Sequence, residues 1–149
     1  MITDLTLDAW KRWLTYSISR STDTSLSTIP IRLRDTEEVK EYPGIYLEAE
    51  SPNRIESSGV MDGNAFRIEF ETKLVTTPGS DAQEATSKTA HDALRNALAV
   101  HVGDDNAEAW LDGQIGLACH QLLTDAPVTT EEEGYRVTTW KLSAVVVQK

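Results

Sequence analysis

The sequence predicts an α+β fold, with a mixed or mainly antiparallel sheet of four to five strands and a long helix packed on one face. Residues 44–50 and 64–75 alternate apolar and polar side chains, as strands with one buried face do. Residues 81–100 repeat alanine and leucine at helical spacing instead. We expect a single domain over residues 1–149.

Composition and charge limit the classes of function. The chain is 40% hydrophobic and 26% charged, which is ordinary for a globular protein. Its net charge of −10 opposes stable binding to nucleic acid, because such binding requires lysine and arginine to neutralise phosphates. No apolar run approaches the ~20 residues that span a bilayer, and the first residues do not resemble a signal peptide, so we expect no membrane partner. One cysteine permits no internal disulfide.

Apolar side chains recur at helical spacing over residues 7–19 and predict a first, amphipathic helix. The stripe consists of Leu7, Trp10, Leu14, Ser17 and Ile18, with Trp13 beside it. We expect the tryptophans to be core or interface anchors.

A short edge strand is predicted after a linker rich in serine and threonine at residues 21–28. Ile29, Ile31 and Leu33 alternate with other side chains there, and an edge strand tolerates the proline at position 30.

The first long strand places Ile45, Leu47 and Ala49 on one face. The second places Phe66, Ile68, Phe70, Thr72 and Leu74 on one face. Residues 51–63 connect them, and the prolines, glycines and asparagine in this segment oppose regular structure. So long a loop either contacts a partner or folds its apolar residues back on the sheet.

The helix over residues 81–100 begins after a capping box formed by Ser80 and Gln83. We predict that its buried face carries Ala82, Ala85, Ala90, Ala93, Leu94, Ala97 and Leu98. We predict that its surface carries Gln83, Glu84, Ser87, Lys88, His91, Asp92 and Arg95.

The C-terminal part predicts a short helical turn at residues 107–111 and two strands. The first strand alternates around Leu117 and Cys119, a solvated loop follows at residues 124–134, and a long strand completes the pattern. The apolar phase of the long strand slips by one residue near Thr139 and Trp140, which predicts a bulge or bend there.

Histidine and cysteine do not form a predicted catalytic or metal site. His91 and His101 lie on one predicted helix roughly 15 Å apart, so they cannot share a metal ion, and we expect both at the surface. Cys119 and His120 are neighbours in a strand and should point to opposite faces, so we expect Cys119 to be a small core residue.

Other motifs fail as well. Asp104, Asn106 and Glu108 imitate the start of a calcium loop, but Ala109 and Ile115 replace its essential glycine and glutamate. No nucleophile elbow, glycine-rich phosphate loop or HExxH motif occurs. We therefore expect no enzyme activity, no metal and no cofactor. A small enzyme of ferredoxin-like or hot-dog build, with an active site outside known motifs, remains an alternative.

The order of predicted elements resembles that of the tail terminator or tail completion proteins of long-tailed bacteriophages. The segments that carry this resemblance are I-P-I-R-L-R, Y-P-G-I-Y-L-E-A-E, F-R-I-E-F-E-T-K-L-V, A-L-R-N-A-L and W-K-L-S-A-V-V-V. They extend over nearly the whole chain.

The resemblance implies a virion protein that is assembled in the host cytoplasm and lies at the head-proximal end of the tail. Members of that family form a six-membered ring that caps the tail tube, ends its polymerisation and faces the head connector. The implied partners are other copies of the chain, the tail tube protein and the head–tail connector protein, with DNA only as passing cargo. Another connector or stopper ring, or an unrelated oligomeric adaptor, would share this layout.

The interface residues are predicted from the chain itself. A fold without chemistry acts through its surfaces, and the long loop is the surface that the needs of a monomer explain least. We predict that the contacts with neighbouring subunits or the tube are made by Arg32, Arg34, Arg54, Ile55, Glu56, Val60, Met61 and Asp62.

Overall fold

A computed structural model describes residues 2–20, 26, 29–33, 43–50, 53–54, 65–77, 81–102, 106–114, 116–132 and 134–148. The helices are α1 (Ile2–Arg20), α2 (Asp81–Val102) and α3 (Asn106–Asp112). The strands are β1 (Ile31–Leu33), β2 (Gly44–Ala49), β3 (Asn53–Arg54), β4 (Ala65–Thr76), β5 (Leu117–Thr124), β6 (Val128–Glu132) and β7 (Tyr135–Gln148).

The strands form one mixed sheet in the order β1-β2-β4-β7-β5. β3 pairs with β4 beyond the end of β2, and β6 pairs with β7 beyond the end of β5. Within the described residues, seven strand segments therefore occupy five strand positions across the sheet, which we call columns. β1 runs parallel to β2, and the other pairs are antiparallel. The predicted α+β fold is confirmed, and its four to five strands correspond to these columns.

The two central strands, β4 and β7, pair without interruption from Ala65 opposite Val147 to Thr76 opposite Arg136. The predicted phase slip in β7 is therefore wrong. Its inward positions begin with the buried polar residues Arg136 and Thr138, so the outward residues at the start of the strand look more apolar than the inward ones.

The register shift lies instead in β5, at His120 between Cys119 and Gln121. Simple alternation between Cys119 and His120 does not hold at such a bulge. The side chain of His120 lies outside the described residues.

One hydrophobic core lies between the helices and the inner face of the sheet, and it includes residues of all three helices. Trp10 is its centre, because its ring stacks on Trp13 at 4.7 Å and meets the Phe70 ring edge-on at 5.5 Å. The Trp10 Nε1–H donates to the Thr72 hydroxyl oxygen at 3.0 Å, which satisfies its only polar atom. The tryptophans of α1 are thus core residues, and the helix begins at Ile2, ahead of its predicted start.

α2 has the predicted start, but its buried face is rotated. Ser87 and His91 are buried although they were predicted at the surface, and Ala85 is exposed although it was predicted inside. The buried stripe runs through Ser87, Ala90, His91, Ala93, Leu94 and Leu98. Ser87 and His91 can be buried because they form hydrogen bonds with Thr76 and Thr138 of the sheet. A pattern of hydrophobicity in the sequence does not reveal these partners.

Two predicted loops contain strands. Residues 128–132 form β6 inside the predicted solvated loop of residues 124–134, and the following turn has Gly134 at φ 82°. The sequence does not predict this strand because its residues do not alternate between buried and exposed positions. The exposed residues are Val128, Thr129, Thr130 and Glu131. The short strand β3 likewise lies inside residues 51–63.

Candidate functional site

The described residues contain no group of three or more histidine, cysteine, aspartate or glutamate side chains that could hold a metal ion. Cys119 is a buried core residue, as predicted, and its backbone N–H donates to Asp112 Oδ1 at 3.0 Å. Two other regions carry concentrated polar chemistry. One is buried around His91, and the other is the outer face of the sheet.

His91 is only 3% exposed and bridges the two central strands. Its Nε2 lies 2.9 Å from the Thr76 hydroxyl of β4, and its Nδ1 lies 2.6 Å from the Thr138 hydroxyl of β7. Thr76 also contacts the hydroxyl of Ser87, one turn earlier on α2. The helix is thereby joined to the sheet through side-chain hydrogen bonds at both ring nitrogens.

Arginines extend this cluster towards the surface on both sides. Arg136 donates to the Ser87 hydroxyl at 3.3 Å and to Glu131 Oε1 at 3.1 Å. Arg95 donates to the Thr129 hydroxyl at 2.9 Å, and Thr129 contacts the hydroxyl of Thr138 at 2.8 Å. β6 is therefore connected to α2 as well as to β7.

The surroundings of His91 keep its imidazole neutral. Burial, together with the positive charges of Arg136 and Arg95, lowers the pKa of His91 from 6.5 to about 4, and the nearby Asp92 carboxylate opposes this shift. A neutral ring has one N–H donor and one acceptor nitrogen, which matches two hydroxyl partners that can each do either.

This cluster joins elements of the fold, and its burial keeps it from a substrate. His91 and Ser87 are both buried, and every ring nitrogen of His91 already has a partner. The sequence does hold a signal for it. Ser87 and His91 are four residues apart on the helix, and Arg136 and Thr138 share the parity of the apolar residues Trp140 to Val146.

The outer face of the sheet is the second region, and the core cluster of all three helices lies on the opposite face. Strand register aligns its side chains in rows. Glu48 lies opposite Glu71, and Glu71 lies opposite Lys141. The Asp125 N–H donates to the Lys141 carbonyl at 2.9 Å, which places Asp125 at the end of that row.

A depression of about 690 Å³ lies on this face. It is lined by Glu48, Ala49, Glu50, Glu69, Phe70, Glu71, Lys73, Leu123, Asp125, Lys141, Leu142 and Ser143. Lys73 pairs with Glu71 at 3.4 Å, and carboxylates outnumber lysines around the depression. Leu123 is 55% exposed beside it, and Val128 is 60% exposed farther along the same edge column. The face is thus acidic, concave and bordered by exposed apolar side chains.

The predicted interface residues are only partly described. Arg32 is exposed in the edge strand β1, whose partner β2 carries Tyr46 opposite it. The backbone of Arg54 lies in β3 and pairs with Phe66. Arg34, Ile55, Glu56, Val60, Met61 and Asp62 lie outside the described residues, so their role as an interface stays a prediction. The sequence did not predict the outer face as a site.

No protein-family model and no curated protein sequence matches this chain. Solved structures do share its fold. One is a chain from the virion of a native gene transfer agent particle, with a TM-score of 0.50, 14% identity, and coverage of 89% of this chain and 90% of that chain. A second solved protein, which has no descriptive name, matches with a TM-score of 0.51, 18% identity, and coverage of 98% of this chain and 96% of the other.

Among the described helices, none is long and apolar enough to cross a membrane.

Proposed function

We propose that this chain is a structural protein of a phage-like virion. In this role it forms a homo-oligomeric ring of six subunits at the head-proximal end of the tail tube. The ring ends tube polymerisation and joins the tail to the head connector. The observation that carries the proposal is the fold, which is shared over nearly the full length of both chains with a chain from a gene transfer agent virion.

The chemistry of the molecule supports a role in assembly. The polar cluster around His91 is buried and internally satisfied, and the cluster joins α2 to the sheet. The outer face, in contrast, leaves a wide concave area of a five-column sheet to solvent. A protein whose function is to bind other subunits needs such a rigid, accessible surface more than it needs a reactive group.

The charge agrees with a channel through which DNA passes. A net charge of −10 repels phosphate, so a ring with acidic walls would not retain the packaged DNA. DNA is then cargo that moves past the protein. In this proposal the contacts with neighbouring subunits or the tube include Arg32, Arg34 and the loop residues Arg54, Ile55, Glu56, Val60, Met61 and Asp62.

Deletion of the gene in the particle-producing genome that encodes this chain tests the proposal. We expect tails that are overlong or of variable length, together with heads that carry no tail, when particles are counted by negative-stain electron microscopy. Complementation with the intact gene should restore both properties. Tails of normal length attached to heads in the deletion strain would refute the proposal.

The loop is tested in the same strain. A variant in which residues 54–62 are replaced by a glycine and serine linker of equal length should fold but fail to restore tail length or joining. Its matched control replaces Thr86 and Thr89, which are exposed on α2, by serine. Full complementation by the loop variant would remove the loop from the interface.

The same fold also fits a head–tail connector or stopper ring, because a fold shared with a virion chain does not by itself assign a position within the particle. The deletion phenotype separates the two roles. Tails of uniform, normal length that fail to join heads would indicate a connector or stopper, whereas tails of altered length would indicate a terminator.

A further inference from the structure

The exposed side of α1, together with β1, forms a surface of two adjacent depressions. A ridge of Lys11, Thr15 and Ser19 separates them. The first depression, of about 510 Å³, contains the aromatic residues Tyr16 and Trp110. The second, of about 550 Å³, is lined by Ile18, Leu26, Ile29, Pro30, Ile31 and Arg32. We call the whole area the α1–β1 surface.

Two aromatic rings anchor the first depression. Tyr16 is 45% exposed and stacks on Trp110, with ring centroids 5.3 Å apart and planes 24° from parallel. The Trp110 Nε1–H donates to the Ala9 carbonyl at 3.2 Å, and this hydrogen bond fixes the Trp110 ring against α1. An exposed tyrosine stacked on a partly buried tryptophan, beside the arginine Arg12, has the composition of a protein-binding hot spot.

The charge of this surface is opposite to that of the outer face of the sheet. Among the residues that the structure describes, Lys11, Arg12 and Arg32 line the α1–β1 surface together with one carboxylate, that of Asp8. The described lining of the depression on the outer face has five carboxylates and two lysines. A chain with a net charge of −10 thus carries one surface that would attract its own acidic face.

We infer that the α1–β1 surface of one copy docks on the outer face of the sheet of a second copy. Tyr16 and Trp110 contact the apolar border near Leu123, while Arg12 and Lys11 lie against the glutamates of β2 and β4. Desolvated aromatic anchors supply the affinity, and the complementary charges set the orientation and the rate of association.

This contact is heterologous, because the two surfaces lie on opposite sides of the molecule. α1 packs its buried stripe on the inner face of the sheet, so Arg12 and Tyr16 point away from the outer face. Each copy therefore keeps one unused surface, and copies add head to tail until the chain of subunits closes. Closure into a ring rests on the proposed function, whereas the pairing itself rests on the two surfaces.

Charge reversal tests the pairing. Arg12→Glu and Glu69→Arg each place like charges in the contact, and we expect each to raise the dissociation constant of self-association at least about tenfold, measured by sedimentation equilibrium. The double variant restores opposite charges and should recover most of the wild-type affinity. Lys88→Glu is the matched control, because it reverses an exposed charge on α2, away from both surfaces, and should change nothing.

Disulfide trapping detects the contact when its affinity is too low for sedimentation equilibrium. A variant carrying Arg12→Cys and Glu69→Cys should form a ladder of covalent oligomers on mild oxidation, while each single variant lacks a facing cysteine in this contact and should stay monomeric. The inference is overturned if the double cysteine variant forms no ladder, or if the reversal pair shows no mutual rescue.

The outcome for the proposed function is separate. Absence of a covalent ladder from the double cysteine variant, together with altered tails in the gene deletion, would overturn this contact and leave the virion role intact. A covalent ladder together with unaltered tails in the gene deletion would support this contact and refute the proposed virion role.

Discussion

The two faces of the sheet in this protein use polar side chains in opposite ways. On the inner side, Thr76 and Thr138 of the sheet and His91 of α2 are buried and hydrogen-bond to one another. On the outer face, Glu69 and Lys141 are exposed in rows that face solvent. The inner face therefore holds the molecule together, and the outer face can change without unfolding it.

The comparison predicts first that adjacent residues of β4 differ greatly in their effect on stability. Phe70→Ala should lower the free energy of unfolding by about 3–5 kcal/mol, because it opens a cavity beside Trp10. Glu69→Ala, one residue earlier but on the outer face, should change it by no more than about 0.5 kcal/mol. Urea unfolding monitored by tryptophan fluorescence measures both. Equal effects would break the comparison.

The second prediction concerns pH. The pKa of His91 is about 4 in the folded protein and 6.5 in the unfolded chain, so the unfolded chain binds the proton more readily. Its contribution to stability is complete above pH 6.5 and is lost as pH falls towards 4, a change of about 3 kcal/mol in the limit. Urea unfolding measured across this range should show the decline. His91→Gln cannot titrate and should flatten the curve between those two values, and an unchanged slope in that variant would assign the effect to other groups.

A third prediction compares neighbours in β7. Thr138→Val removes the hydroxyl that contacts both His91 and Thr129, and it should cost about 1–3 kcal/mol because buried groups lose their partner. Thr139→Val makes the same chemical change on the outer face and should stay within about 0.5 kcal/mol. Thermal unfolding of the two variants at neutral pH provides the measurement. A loss for Thr138→Val no larger than that for Thr139→Val would contradict the stabilising role of the buried hydroxyl.

The smallest expected effect is electrostatic. Lys141→Glu places a like charge opposite Glu71 on the outer face and should cost no more than about 1 kcal/mol at low salt. The cost should shrink as salt is added, because exposed charges are screened. The cost of Phe70→Ala should not depend on salt in this way. Urea unfolding of both variants at low and high salt tests the contrast, and a salt-independent cost for Lys141→Glu would show that this position is packed.

The elements that the sequence predicted well are those whose pattern depends on burial alone. The alternation in β4 and the stripe of α1 correspond to one apolar face against one polar face, and a single sequence contains that information. In β2 the agreement is partial, because Tyr46 on its outer face is buried as well. The α+β class follows from these elements. The partners of each strand do not, since pairs such as Ala65 of β4 opposite Val147 of β7 join distant parts of the chain.

The prediction failed where polar residues are inside or where both faces of a strand are exposed. Ser87 and His91 look like surface residues until Thr76 and Thr138 lie beside them, and those partners are distant in the sequence. β6 has no apolar face to detect. The outer face was missed as a candidate site for the same reason, because a row such as Glu48, Glu71 and Lys141 exists only after the strands are in register.

The uninterrupted pairing of β4 with β7 has a consequence for biosynthesis. β4 is translated well before β7, and α2, α3, β5 and β6 all lie between them in the chain. β5 and β6 both pair with β7, so three strands emerge from the ribosome before their shared partner exists. During that interval the edges of β4 and β5 are open to pairing with other chains. Chaperones that bind extended apolar segments would be needed most in the moments before β7 emerges, and folding of the sheet is completed only after translation reaches the end of that strand.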